Sequence, residues 1–176
     1  MTAVSDAASG ADFDDAAAVT LYVSPRGLIT STIRYGTRIF TVEFDVIDHQ
    51  LRIRIRTSDG ETRAIALESK SVAVFYAQLM RALVELGIET QIQPRPNEVD
   101  PAIPFAEDHR HATYDAQAAQ LFWRQLVQAD RVLHQFRSHY VGKVSLVHLV
   151  WGALDLACTR FSGRTAPTHP GGAELR

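Results

Sequence analysis

The stretch RIFTVEFDVIDHQLRIRIRT, residues 38–57, alternates apolar and polar side chains and predicts a β-hairpin. With Asp48 and His49 as the two loop residues, three apolar pairs face one another: Val46 with Leu51, Phe44 with Ile53, and Val42 with Ile55. The same register places three polar pairs on the other face: Asp45 with Arg52, Glu43 with Arg54, and Thr41 with Arg56. A slip by one residue would exchange the two faces, so the agreement of both faces supports this register.

The three arginines of this hairpin form a stripe that could hold a phosphate or a carboxylate ligand. Two of them lie opposite carboxylates, and Arg56 alone lies opposite a threonine. We therefore interpret the polar face as a solvated surface with cross-strand ion pairs, each contributing ~0.2–1 kcal/mol.

The hairpin belongs to a longer run of predicted strands, at 19–24, 28–34, 38–47, 50–57 and 62–67. A turn at SPRG, residues 24–27, joins the first two strands. A three-residue loop ending at Gly60 joins the last two, because this length keeps Ile65 opposite Ile53.

Two helices follow the strands, and their apolar residues recur at helical spacing over 71–87 and 116–140. Ser71 and Asp115 are the expected N-caps. A short strand at 90–93 and a proline-rich crossing at 94–104 separate the helices. The elements predict an α+β fold: an antiparallel β-meander of about five strands packed against two main helices, plus a C-terminal apolar strand or helix.

That C-terminal element is the run VSLVHLVWGALDLACTRF, residues 144–161. It is not expected to cross a membrane, because His148, Asp155 and Arg160 interrupt it. Over 153–162 a strand is favoured slightly over a helix. His148 and Asp155 are interpreted as a hydrogen-bonded structural pair, or as polar groups that line a pocket.

The composition predicts a single soluble domain at 19–163, between a disordered arm at 1–18 and a disordered tail at 164–176. A net charge of −2 gives no basic field for nucleic acid. The N-terminus lacks a signal peptide, and the single cysteine, Cys158, cannot form an internal disulfide. These features favour a cytoplasmic protein.

The segment DHRHATYD, residues 108–115, raises the question of a metal site. His109 and His111 could share a metal in an extended segment, but neither Asp108, Glu107 nor His169 is an assured third ligand. We therefore predict no metal. His111 is the preferred polar candidate, because it precedes a predicted helix N-terminus, where anions bind readily.

Several strings together resemble the bacterial family known as domain of unknown function 5996, over residues 20–172. They include LYVSPRGLITSTIRYG, FDVIDHQLRIRIRTSDG, SVAVFYAQLMRALVELGI, IQPRPNEVDPAIPF, HATYD, FWRQLVQADRV and the TRFSGRTAPTHPGG end. The resemblance implies no reaction, cofactor or catalytic residue. Members are usually longer, so the chain resembles a shortened member. Of the two histidines in HRH, the family motifs match His111 but not His109.

Three hypotheses follow. The first is a small-molecule site, of unknown cofactor and catalytic residues, in a cleft between the sheet and the two helices. Its ligand-binding candidates are His111, Tyr114, His148, Asp155, Arg160 and His169. The second is a non-catalytic interaction module that forms a homo-oligomer through 144–161, and the third is a metal-dependent enzyme. No nucleic acid or membrane is expected as a partner.

Overall fold

The computed structural model describes residues 4–5, 20–47, 52–57, 60–96, 99–150 and 154–165, with the backbone alone at 4–5 and 52–57. The described strands are β1 (Val4–Ser5), β2 (Leu21–Ser24), β3 (Gly27–Thr30), β4 (Ile33–Tyr35), β5 (Arg38–Asp45), β6 (Arg52–Thr57), β7 (Thr62–Ala66), β8 (Gln91–Ile92), β9 (His148–Val150) and β10 (Asp155–Ala157). The helices are α1 (Val72–Glu85) and α2 (Ala116–Ser138), with a 3₁₀ turn at Phe105–Glu107.

The expected meander is present: in the main antiparallel sheet, β2, β3, β5, β6 and β7 lie side by side in that order. β4 pairs with the first residues of β5, whereas β3 pairs with its last residues. β9 and β10 extend the sheet on the side of β2 that faces away from β3. The α+β prediction is therefore confirmed. Two residues of the predicted disordered arm form β1, which pairs with β8; residues 6–19 lie outside the described part of the chain.

The predicted hairpin register is confirmed. Five of its six pairs appear between β5 and β6, among them Phe44 with Ile53 and Glu43 with Arg54. The sixth pair and the loop at 48–50 lie outside the described residues. β7 pairs Ile65 with Ile53, and Gly60 has a φ of 85°, as the three-residue loop requires.

The polar face of the hairpin is not the solvated surface that we expected. Glu43 is 5% exposed and Asp45 is 0% exposed. Asp45 accepts hydrogen bonds from the Arg26 Nε–H at 2.7 Å and from the Ile47 backbone N–H, and Ser24 Oγ donates to Glu43. Alternation identifies a polar face, but it does not distinguish exposed carboxylates from buried ones that have partners.

A β-bulge divides the strand predicted at 28–34 into β3 and β4. Ile29 pairs with Glu43, but Ile33, four residues later, pairs with Phe40, only three residues earlier. Thr30 lies at this break, and its buried side-chain oxygen accepts a hydrogen bond from the Val42 N–H at 3.0 Å.

Both helices pack on the apolar face of the sheet. α1 covers β4, β5 and β7 in a core cluster centred on Leu83, Leu86 and Ile88. α2 places Leu126 against β2 and β9, and its Trp123 Nε1–H donates to the Ser24 carbonyl. Phe44 contacts both clusters, so it lies on the sheet between the two helices.

The apolar run at 144–161 contributes strands, which agrees with the interpretation favoured for 153–162. β9 and β10 are antiparallel, and Leu156 pairs with Leu149. Val147 and Leu149 are buried, whereas Leu146 and Val150, on either side of them, are exposed. The run is therefore half-buried rather than a wholly internal core element.

Candidate functional site

A cleft of about 490 Å³ opens between the sheet, the start of α1 and the segment that leads into α2. Its volume lies within the ~300–1,000 Å³ that is usual for small-molecule sites. The floor is apolar and consists of Phe44, Leu67, Val72 and Phe75. The remaining wall is polar and consists of Glu68, Lys70 and residues 110–114. A few polar groups around an apolar floor are typical of a binding site for an organic molecule.

Two carbonyl groups of the loop before α2 fix that loop to the N-terminus of α1. The Val72 N–H donates to the His111 carbonyl at 3.0 Å, and the Ala73 N–H donates to the Asp108 carbonyl at 2.9 Å. Ser71 caps the next N–H, that of Val74. The backbone that carries His111 is therefore held by a rigid helix, which is a favourable support for a functional group.

Asp108 orients the imidazole of His111. One carboxylate oxygen of Asp108 lies 2.7 Å from His111 Nδ1, and the other accepts the backbone N–H groups of Arg110 and His111 at 3.1 Å each. Asp108 is 7% exposed, whereas the His111 side chain is 59% exposed. A carboxylate accepts at Nδ1, so Nδ1 carries the proton and Nε2 is the outer nitrogen of the ring.

The charge of Asp108 is stabilised by these contacts. Burial alone would raise the pKa of Asp108. The hydrogen bonds from the His111 ring and from the backbone N–H groups of His111 and Arg110 outweigh burial and hold this pKa below its usual value. Asp108 is therefore a fixed anion at neutral pH, and it favours the Nδ1–H form of the ring.

Tyr114 lines the same cleft, and its hydroxyl group is buried. Its hydroxyl oxygen is buried and makes no hydrogen bond to any described residue. Burial, and then the nearby Asp115 carboxylate, raise the pKa of Tyr114. The hydroxyl therefore keeps its proton through the neutral range and remains a hydrogen-bond donor. Buried hydroxyl groups usually have partners, so this one is an unusual feature of the wall.

The sequence analysis preferred His111 because it precedes the N-terminus of the second helix, where anions bind readily. In the structure the Asp115 carboxylate accepts the N–H groups of Gln117 and Ala118, both at 2.9 Å. This cap satisfies the donors that an anion at this helix terminus would use. His111 lines the cleft beside the first turn of α1.

Of the six predicted ligand-binding residues, five are described, and these five do not converge on one cavity. His111 and Tyr114 line the cleft. His148 and Asp155 lie on β9 and β10, and the His148 Nδ1–H donates to the Leu146 carbonyl at 2.9 Å. The His148 ring is therefore hydrogen-bonded to this carbonyl group and not to Asp155. His169 lies outside the described residues.

Arg160 has a structural environment at the C-terminal end of α2. Its guanidinium group lies 3.4 Å from the centroid of the Phe136 ring and 5.2 Å from that of Tyr140. One guanidinium N–H also donates to the Phe136 carbonyl. These contacts hold the segment after β10 against the helix, away from the residues that line the cleft.

The sequence analysis did not identify three residues of the site: Lys70 and Arg110, which line the cleft, and Asp108, which binds the His111 ring. Asp108 was considered only as a third metal ligand, although a carboxylate three residues before a histidine can reach its ring in a tight loop. Lys70 and Arg110 belong to no motif that indicates a binding site. Lys70 is held by Glu68 at 3.0 Å and Gln78 at 2.9 Å, whereas the Arg110 side chain forms no ion pair within the described part of the chain.

Two features are absent from the described ranges, a cluster of metal ligands and a membrane-spanning helix. Those residues contain no group of three or more His, Cys, Asp or Glu side chains that could hold a metal ion. None of the helices they form is long and apolar enough to cross a membrane.

The fold and the cleft define an α+β protein in which one antiparallel sheet carries two helices on its apolar face, with a site at their junction. The model of the family of unknown function DUF5996 matches residues 9–175, and the chain belongs to that family. The match extends the resemblance seen over 20–172 in both directions. No curated protein and no solved structure matches the chain.

Proposed function

We propose that the cleft binds a small organic anion with an apolar body, such as a medium-chain carboxylate. The observation that carries the proposal is the combination of an apolar floor with an oriented polar wall in one cavity of about 490 Å³. The apolar body would lie on Phe44, Leu67 and Phe75. Burial of apolar ligand surface contributes roughly 25 cal/mol per Å², so a chain of several methylene groups would dominate the affinity.

The charge of the wall supports an anionic head group. Lys70 and Arg110 are cationic, whereas Glu68 is the one carboxylate among the described residues that line the cleft. Glu68 is already held by Lys70 at 3.0 Å. Arg110 is exposed and forms no ion pair with a described residue, so its guanidinium group is available to a carboxylate.

Isothermal titration calorimetry with decanoate as the probe tests this proposal, with decanol as the uncharged comparison. Decanoate is expected to bind more tightly than decanol. Arg110→Glu is expected to weaken decanoate binding by about tenfold or more, since a hydrogen bond to a charged group contributes ~1.5–3 kcal/mol. Arg131→Glu, an equal charge change at an exposed position on α2, is the matched control and should retain the affinity.

A steric pair of variants locates the site. Thr113 is exposed and lines the cleft, so Thr113→Trp should obstruct it. Thr37 is exposed in the turn between β4 and β5 and does not line the cleft, so Thr37→Trp should bind decanoate normally. Equal affinities for these two variants, or for the two charge variants, would contradict the proposal.

We also propose a cytoplasmic location for the protein and association between copies of the chain. A cytoplasmic location is supported by the single cysteine, Cys158, which is a free thiol in the structure. Association of two copies through 144–161 is supported by the exposed apolar side chains Leu146, Val150, Leu154 and Phe161.

A further inference from the structure

The pairing of Asp108 with His111 exceeds what a binding cleft requires. A residue that only attracts an anion needs a positive charge, which Arg110 already supplies. His111 instead has its Nδ1 bound to a carboxylate, and that carboxylate is fixed by two backbone N–H groups. Such a partner holds an imidazole in one tautomer and one orientation, and it stabilises the cation that forms when the ring takes a second proton.

The remaining ring nitrogen is in a position to exchange protons with a bound molecule. His111 lines the cleft, its side chain is 59% exposed, and its Nε2 is the nitrogen that Asp108 does not occupy. The Arg110 guanidinium group lines the same cleft, is exposed and forms no ion pair with a described residue, so it is an available donor. A base and a hydrogen-bond donor at one apolar cleft are the two groups that hydrolysis of an ester by water requires.

We propose that the cleft hydrolyses carboxylic esters of apolar acyl chains, with His111 as the general base, Asp108 as its positioning residue and Arg110 as a donor to the carbonyl oxygen. This inference rests on the proposed function, because the acyl chain occupies the same apolar floor and the acid released is the anion that the cleft binds.

The step balances without a further reactant. His111 Nε2 takes a proton from water as the water oxygen bonds to the acyl carbon, and the carbonyl oxygen becomes an oxyanion that accepts from Arg110. The oxyanion then re-forms the carbonyl, the bond from carbon to the alcohol oxygen breaks, and the imidazolium returns its proton to that oxygen. One water and one ester give one acid and one alcohol.

Hydrolysis of para-nitrophenyl hexanoate by the full chain tests the inference. His111→Gln is expected to lower kcat/KM by about 100-fold or more, the usual contribution of a general base. His109→Gln is the matched control, because His109 is exposed and does not line the cleft. A rate above that of free imidazole, lost in His111→Gln and retained in His109→Gln, supports the inference. Equal rates for the two variants would overturn it.

The role of Asp108 has its own readout. Asp108→Asn keeps an oxygen for the two backbone N–H groups but offers an amide N–H to the ring, so the ring should change to its Nε2–H tautomer. Long-range ¹H–¹⁵N NMR of the imidazole is expected to show Nδ1–H in the native protein and Nε2–H in Asp108→Asn, with a fall in kcat and little change in KM. A native Nε2–H tautomer would overturn the inference even if a variant failed to fold.

The two proposals can fail separately. Decanoate binding without histidine-dependent hydrolysis would leave the binding proposal standing and overturn the catalytic one. Histidine-dependent hydrolysis that decanoate does not inhibit would overturn the assignment of the anion as the ligand. Hydrolysis that is inhibited competitively by decanoate, with a normal solvent deuterium isotope effect, is the expected result.

Discussion

Replacement of Tyr114 by phenylalanine should make the protein more stable, which is the opposite of the usual effect of losing a tyrosine hydroxyl. The hydroxyl oxygen is buried and forms no hydrogen bond to a described residue. An unsatisfied buried polar group costs roughly 1–3 kcal/mol, and phenylalanine removes it while keeping the ring. Tyr114 is only half-buried as a whole, so we expect the lower end of that range, a gain of about 1 kcal/mol in the free energy of unfolding.

Urea denaturation provides the assay, with Tyr140→Phe as the matched control. The Tyr140 hydroxyl donates to the Phe161 carbonyl at 2.7 Å, so its removal should cost about 1 kcal/mol. The two variants should therefore shift the denaturation midpoint in opposite directions at an unchanged m-value.

Equal destabilisation by the two substitutions would refute this reasoning. It would mean that the Tyr114 hydroxyl has a hydrogen-bond partner within the protein.

Three further predictions concern the helices, the core and the loop that surround the cleft. Asp115→Ala should lower the free energy of unfolding by about 1 kcal/mol in urea denaturation, because it removes the cap that accepts two N–H groups of α2. Leu86→Ala should cost about 2–5 kcal/mol in the same assay, because Leu86 is 1% exposed at the centre of the core; Val84→Ala, at an exposed position of α1, is its control. The contribution of Asp108 should be present above the ordinary carboxyl pKa of about 4 and be lost as the pH falls below it, because its pKa is lowered in the folded state. Thermal melts from pH 6 towards pH 2 should therefore show a shallower acid limb in Asp108→Asn than in the native protein.

The sequence predicted the hairpin register and the helix caps well, because interactions between residues that are close along the chain determine both. Alternation and one loop length were enough for the β5–β6 register, since a slip would have placed Phe44 on the wrong face. Ser71 and Asp115 were predicted as caps because their side chains satisfy N–H groups two or three residues away. These interactions lie within a few residues or across one hairpin.

The cleft was harder to predict because its walls come from distant parts of the chain. Phe44, Leu67 and His111 approach one another only when α1 lies on the sheet and the loop before α2 binds the first turn of α1. No periodic pattern in the sequence indicates the contact between this loop and α1. His148 and Asp155 were predicted as site residues because polar residues in an apolar run are unusual. They lie instead on the neighbouring strands β9 and β10 at one edge of the sheet.

The most direct test of the binding proposal is a two-dimensional ¹H–¹⁵N NMR titration of the full chain with decanoate. The account predicts saturable shifts concentrated in residues 67–75 and 110–114, while β9 and β10 change little. Shifts that are concentrated instead at 148–160, or spread evenly over exposed apolar positions without saturation, would contradict it.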